Sequence, residues 1–279
     1  MRWTPGGERS RNLEDRRASG MRGRAVPIGI GGVVLLGLLS LVTGRDLLTP
    51  ALQEQAGQPQ VQESGAQAPL QTTPEEEKRA DFVSFVLDDV QGTWPKVLGN
   101  YRPARLVLFR GATESGCGIG QSAMGPFYCP ADQSVYLDLE FFDELDRRFG
   151  APGDFAQAYV IAHEIGHHIQ QQLGTNQKVR AAQERNPGSA NALSVRLELQ
   201  ADCYAGIWGH STASRQLLDQ GDIEEGLQAA SSIGDDALTG GRVRAENFTH
   251  GTAAQRTEWL KRGLQTGQMS SCDTFASGT

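Results

Sequence analysis

His163-Glu164-Ile165-Gly166-His167 sets two histidines four residues apart, with a glutamate directly after the first. On a helix four residues turn through about 400°, so both imidazoles leave one face and can share a single Zn²⁺. Glu164 sits one step round, placed to take a proton from a water that the metal activates. This is the pattern of zinc-assisted hydrolysis, which wants three protein ligands and leaves a fourth position open. Glu198-Leu199-Gln200-Ala201-Asp202 supplies the rest of the set at the same spacing. Glu198 is the expected third ligand. Asp202 is expected to accept a hydrogen bond from the far nitrogen of a ligand histidine, fixing its tautomer and ring angle.

The elements that must carry these residues are readable as helices. Ala158, Ala162, Ile165, Ile169 and Leu173 form an apolar stripe at helical spacing, with His163 and His167 pointing away from it. Asp154 and Gln157 predict a capping box at its start, and Gly174 a C-terminal glycine. His168 is rotated about 100° off the ligand face and is expected to pack or to support rather than ligate. A second helix, from about Ser194 to Trp208, is apolar on nearly every face and should be buried. A buried glutamate and aspartate are costly unless paired or metal-bound, and zinc supplies the partner.

Before that core runs an apolar stretch of twenty uncharged residues, Ala25–Gly44. At about 1.5 Å per residue it reaches about 30 Å, the thickness of a bilayer core. The alternative, a cleaved signal peptide, fits less well, since no A-x-A-like site follows. Seven arginines precede the stretch and Arg45 alone follows it before Lys78. Positive-inside bias predicts a single-pass anchor of the bacterial inner membrane, with residues 1–24 as a cytoplasmic Arg-rich tail and the remainder outside. Residues 45–74, rich in Gln, Ala, Pro, Gly and Thr, read as a flexible linker. Its r.m.s. reach of about 30 Å would hold the globular domain, 75–279, close to the membrane surface. Peptide or protein substrates near that surface are the expected partners.

Residues 1–25 carry seven Arg against Glu8, Glu14 and Asp15, a net +4, which leaves −11 for the rest of a chain whose total is −7. An acidic outer domain without a basic patch argues against nucleic acid as a partner. Four cysteines, all beyond the apolar stretch, suit an oxidising compartment and two disulfides. Of the three possible pairings, Cys117–Cys129 and Cys203–Cys272 are favoured. Cys203 is a poor metal ligand, being turned about 100° from the Glu198/Asp202 face.

Leu106–Phe109 suits a buried strand. Ser134–Leu139 alternates as a half-buried strand should, and is either the candidate edge for pairing with an extended peptide or an ordinary strand of the sheet. For the donor that meets a developing oxyanion, His250 is the best remaining candidate and a catalytic one, with Arg256 and Tyr204 behind it. The same segment could simply lead into and cap a helix around Gln255–Leu264.

The chain resembles the bacterial neutral zinc metallopeptidase family, within the broader zincin group that carries H-E-x-x-H and E-x-x-x-D. The likeness includes Leu13-Glu14-Asp15-Arg16-Arg17, the apolar stretch, Gly125–Cys129, His163–His168, Glu198–Gly206, Phe248–Gly251 and Gln255-Arg256. It implies an α+β zincin-like domain: a small mixed sheet over the active-site helix, with a mainly helical lower part. Together these readings predict a membrane-anchored zinc endopeptidase with one catalytic Zn²⁺. The rival is a non-catalytic zincin-like module acting as an envelope scaffold or binding protein. Glu164 separates them, because zinc retention alone does not need it.

Overall fold

The computed structural model describes residues 1–18 and 70–276, which form one compact unit. The expected anchor at 25–44 and nearly all of the expected linker lie outside the described residues. No helix among the described residues is long and apolar enough to cross a membrane.

A mixed four-stranded sheet forms the upper layer. Its strands are β1 (Leu13–Asp15), β2 (Arg105–Phe109), β5 (Phe127–Cys129) and β6 (Ser134–Asp138), in the order β1-β2-β6-β5. β1, β2 and β6 run parallel, and β5 returns antiparallel to β6. A separate hairpin pairs β3 (Ala112–Ser115) with β4 (Gly118–Gln121). Below lie helices α1 (Pro74–Leu98), α2 (Glu140–Arg147), α3 (Asp154–Gln172), α4 (Thr175–Arg185), α5 (Ala190–Ser214), α6 (Asp222–Ser232), α7 (Asp235–Thr239) and α8 (Ala253–Thr266).

Local chemistry accounts for several boundaries. At the start of α1 the Thr73 hydroxyl accepts from the Glu76 N–H at 3.1 Å, and Pro74 takes the first helical position. Residues 73 and 74 therefore belong to the domain and not to the linker. Gly153 caps α3 without a side-chain bond, so the expected Asp154/Gln157 capping box is absent and Asp154 lies inside the first turn. There its carboxylate favours the positive end of the helix dipole. Gly174, at φ 74, does end the helix, donating to Gln171 O. The apolar stripe of α3 is buried through Ile169, whereas Leu173 stays 42% exposed. α5 runs longer than expected at both ends, and its buried residues are Leu199–Gly209 and Thr212. At the start of α8, Thr252 and Gln255 make a true capping box.

Two expectations need correction. β6 is not an edge strand: β2 and β5 flank it, and all five of its residues are buried. The edge on that side is β5. Residues 1–18 do not form the separate tail that their arginine content predicts. β1 adds a parallel strand to β2 in the register Leu13↔Leu106, Glu14↔Val107, Asp15↔Leu108. Arg17, 3% exposed, pairs with Asp15 at 2.6 Å, Glu77 at 3.0 Å and Glu76 at 3.2 Å. Arg9 reaches Asp81 at 2.7 Å, and Arg2 reaches Asp219 at 2.9 Å. Arginines counted as an orientation signal thus neutralise carboxylates of the domain, notably in the acidic first turn of α1.

Candidate metal centre

α3 and α5 carry the chemistry, and a glycine lets them meet. A Cβ on Gly166 would stand 3.0 Å from both Cα and O of Ala201, tight enough that one backbone would have to give way by a few tenths of an ångström. Without it the two backbones approach, and Glu198, one turn before Ala201, comes beside the histidines. His163 Nε2 lies 3.2 Å from Glu198 Oε2, and His167 Nε2 lies 3.4 Å from Glu198 Oε1. Donors of a tetrahedral zinc site at about 2.0–2.1 Å from the ion stand about 3.3–3.4 Å apart. The ligand atoms of His163, His167 and Glu198 all lie within 4.8 Å of one another. The donor set fits zinc.

Each histidine is oriented from behind. His163 Nδ1 donates to Asp202 Oδ1 at 2.8 Å, and His167 Nδ1 donates to Gln170 Oε1 at 2.9 Å. Both Nε2 atoms are thereby left to face Glu198. Gln170, fully buried, is held in turn by donating to Leu197 O at 2.7 Å. Asp202, also fully buried, accepts from Tyr159 Oη at 2.6 Å and from Arg256 Nε and Nη2 at 2.9 Å each. Arg256 arrives from α8, which reaches α5 because Gly206 and Gly263 cross with no room for a side chain on either.

Electrostatics follow from this crowding. Burial alone would lower the His163 pKa, but the charge and hydrogen bond of Asp202, with Glu198, outweigh it and raise it to about 10. His167 is likewise raised, with Glu198 overcoming burial. Burial works against ionisation of Glu198, yet the two histidines hold it well below the usual carboxylate range. Burial also opposes ionisation of Asp202, which Arg256 and His163 hold low. In the absence of an ion, this acidic pocket draws protons onto its histidines. A divalent cation would meet the same demand.

Glu164, 8% exposed, shares a cleft of about 700 Å³ with His163, His167 and Glu198. Met124–Tyr128 from the edge of the sheet, Phe141, Phe149 and His250 also line it. His250 is held by Asp235: Oδ2 accepts from the backbone N–H of Thr249, His250 and Gly251, and Oδ1 from the ring Nδ1 at 3.1 Å. Its Nε2 remains for the cleft. Arg256 is committed to Asp202, with Nη1 directed at Ile233 O, and so is no free oxyanion donor. Tyr204 is buried against Trp94, at 5.7 Å between rings. His168 is fully buried beside the site, and burial lowers its pKa.

Gln170 and Arg256 were not expected as supports. Gln170 follows His167 by three residues, a spacing that shares its helix face. Arg256 lies 54 residues beyond Asp202, with no local pattern linking the two. Both cysteine pairs are disulfide-bonded as favoured, Cys117–Cys129 and Cys203–Cys272. The first ties the β3–β4 turn to the edge strand, and the second ties the C-terminal segment to α5.

A mixed sheet above a helix bearing His163, Glu164 and His167, with Glu198 brought in from a second helix, is a mixed α+β architecture. The chain belongs to the family described as "Putative neutral zinc metallopeptidase", which matches residues 1–275. It is similar to uncharacterized protein YpfJ of Escherichia coli K12, 46% identical over 99% of both chains. It is also similar to an uncharacterized protein of Mycobacterium tuberculosis H37Rv, 42% identical over 68% of each. No solved structure matches the chain.

Proposed function

We propose that the protein is a zinc-dependent endopeptidase working outside the cytoplasm. The observation that carries this reading is the gathering of the His163, His167 and Glu198 ligand atoms within 4.8 Å of one another, in a cleft that also holds Glu164. His163, His167 and Glu198 would hold the ion. When bound, zinc supplies a Lewis acid that activates water and polarises a carbonyl. Glu164 takes the proton from the attacking water and passes it to the leaving amine. His250, its Nδ1–H held by Asp235, would donate from Nε2 as an imidazolium to the oxyanion that develops on the scissile carbonyl. An extended peptide pairs along β5, the free edge of the sheet bordering the cleft. The purified full chain, given a quenched peptide library, should cleave it at near-neutral pH, lose that activity to a chelator and regain it with zinc. Full zinc occupancy without chelator-sensitive cleavage would favour the non-catalytic scaffold or binding module instead.

The two disulfides support an oxidising compartment, and the apolar run 25–44 would hold the domain at a membrane. The β1–β2 ladder adds a condition. A single crossing by that run would put residues 1–18 and 70–276 on opposite sides, where β1 could not pair. The N-terminal segment is therefore proposed to share the domain's compartment. Cysteines placed at exposed Glu8 and Arg244 should both react with a membrane-impermeant maleimide in cells whose outer barrier is opened. Labelling at Arg244 alone would restore the single crossing, and labelling at neither would place the domain inside.

A further inference from the structure

His168 directly follows a proposed ligand, yet its ring serves another part of the fold. Both its nitrogens are used. Nε2–H donates to the carbonyl of Arg102 at 2.7 Å, which leaves Nδ1 to accept from the Tyr128 hydroxyl at 3.0 Å. Gln172, one helical turn on, donates to the same carbonyl and accepts from the Arg102 N–H, both at 2.9 Å. The chain entering β2 is thus clamped onto α3, and the ring that completes the clamp also grips the middle of β5.

The three residues of β5 are fixed in three different ways. Phe127 stacks on Tyr136, its register partner on β6, with centroids 4.9 Å apart. Tyr128 reaches down to α3 through His168. Cys129 is joined to the β3–β4 turn by its disulfide. Stacking and disulfide hold the strand within the upper layer; the Tyr128 hydroxyl ties it to the helix that bears His163 and His167. Tyr128 also lines the cleft, so its height bears on whatever lies between strand and helix.

We propose that the Tyr128–His168 hydrogen bond sets the gap between the edge strand and the metal-bearing helix, and with it how firmly a peptide paired along β5 is held beside the proposed zinc site. Tyr128 and His168 are positioning residues, and the inference rests on the endopeptidase reading above. A peptide paired along β5 is carried wherever the strand goes. Loosening the strand weakens ground state and transition state alike, which raises KM with little change in kcat. The three ligands and Glu164 keep their own supports, so zinc affinity stays the same.

Tyr128→Phe removes the one hydroxyl and keeps the ring. In the full-length zinc-loaded chain it should raise KM for the quenched library peptides about 3–10-fold, the size expected for one neutral hydrogen bond. The value of kcat should stay within about twofold, and zinc affinity, measured by chelator competition, should be unchanged. His168→Asn should raise KM similarly, and the double variant should be no worse than the weaker single one, as coupled residues require. Binding of a fluorescein-labelled library peptide to the inactive Glu164→Gln chain gives a readout free of turnover and should weaken by the same factor with Tyr128→Phe. An unchanged KM, additive effects in the double variant, or loss of zinc from Tyr128→Phe would each overturn the proposal. A wild-type chain without chelator-sensitive cleavage would remove the endopeptidase reading itself, and this inference with it.

Discussion

Glu164→Gln is expected to bind zinc stoichiometrically and to lose hydrolysis by about 10²–10⁴-fold, the range that positioned proton transfer contributes. The amide is nearly isosteric and contributes no donor to the His163, His167 and Glu198 set, so the metal site has no reason to change. What disappears is a carboxylate able to carry a proton from water to the leaving amine. The two measurements separate the alternatives. Zinc retained with activity lost assigns Glu164 to proton transfer, whereas zinc lost as well would make it part of the metal's support. Cleavage within about tenfold of wild type would move the base elsewhere in the cleft.

The proposed metal set was legible in the chain because helix geometry alone fixes what four-residue spacing can do. His163 and His167 must share a face of α3, and Glu198 and Asp202 a face of α5. Residue spacing did not show how the two faces would meet. That depends on Gly166 against Ala201 and on Gly206 against Gly263, close approaches that become visible only when both helices are placed. Arg256 was hidden for the same reason. Its partner is chosen by a helix crossing, so the sequence offered Arg256 only as an oxyanion candidate and not as the support of Asp202.

Where local pattern misled, a second layer was the cause. Ser134–Asp138 alternates like a strand with one wet face, but Tyr136 is covered by Phe127 and joined to Asp132, while Ser134 and Asp138 are closed in by local hydrogen bonds. Asp138 accepts from the Gly111 N–H, so a polar residue on this strand marks a loop anchor and not solvent. The N-terminal arginines misled in the opposite sense. A count of charges flanking an apolar run is a statistical signal about orientation, whereas Arg17 faces three particular carboxylates of the folded domain. An ion pair such as Arg17 with Glu77, 60 residues apart, leaves no trace in a window of the chain.

Arg256→Met should be the most destabilising single change near the site. Arg256 is 2% exposed and Asp202 fully buried, so removing the guanidinium leaves a buried carboxylate with no permanent positive partner. Breaking such a pair typically costs about 3–5 kcal/mol, measurable by chemical denaturation in excess chelator. Asp202 would still accept from Tyr159 and His163, and with the guanidinium gone it would hold the proton on His163 more firmly, at the metal's expense. Zinc affinity should therefore fall as well, by about 10–100-fold, as is usual when the support of a ligand is disturbed. Adding Asp202→Ala separates the two effects. With both charges gone no carboxylate is stranded, so the double variant should recover more than half of the lost stability. It should not recover zinc affinity, because His163 Nδ1–H has then lost its acceptor and the ring its fixed angle. A double variant as unstable as Arg256→Met would mean that the arginine stabilises α8 by packing rather than by its charge. One that regains wild-type zinc affinity would mean that His163 needs no carboxylate behind it, and the pairing of Glu198 with Asp202 on one helix face would lose its chemical purpose.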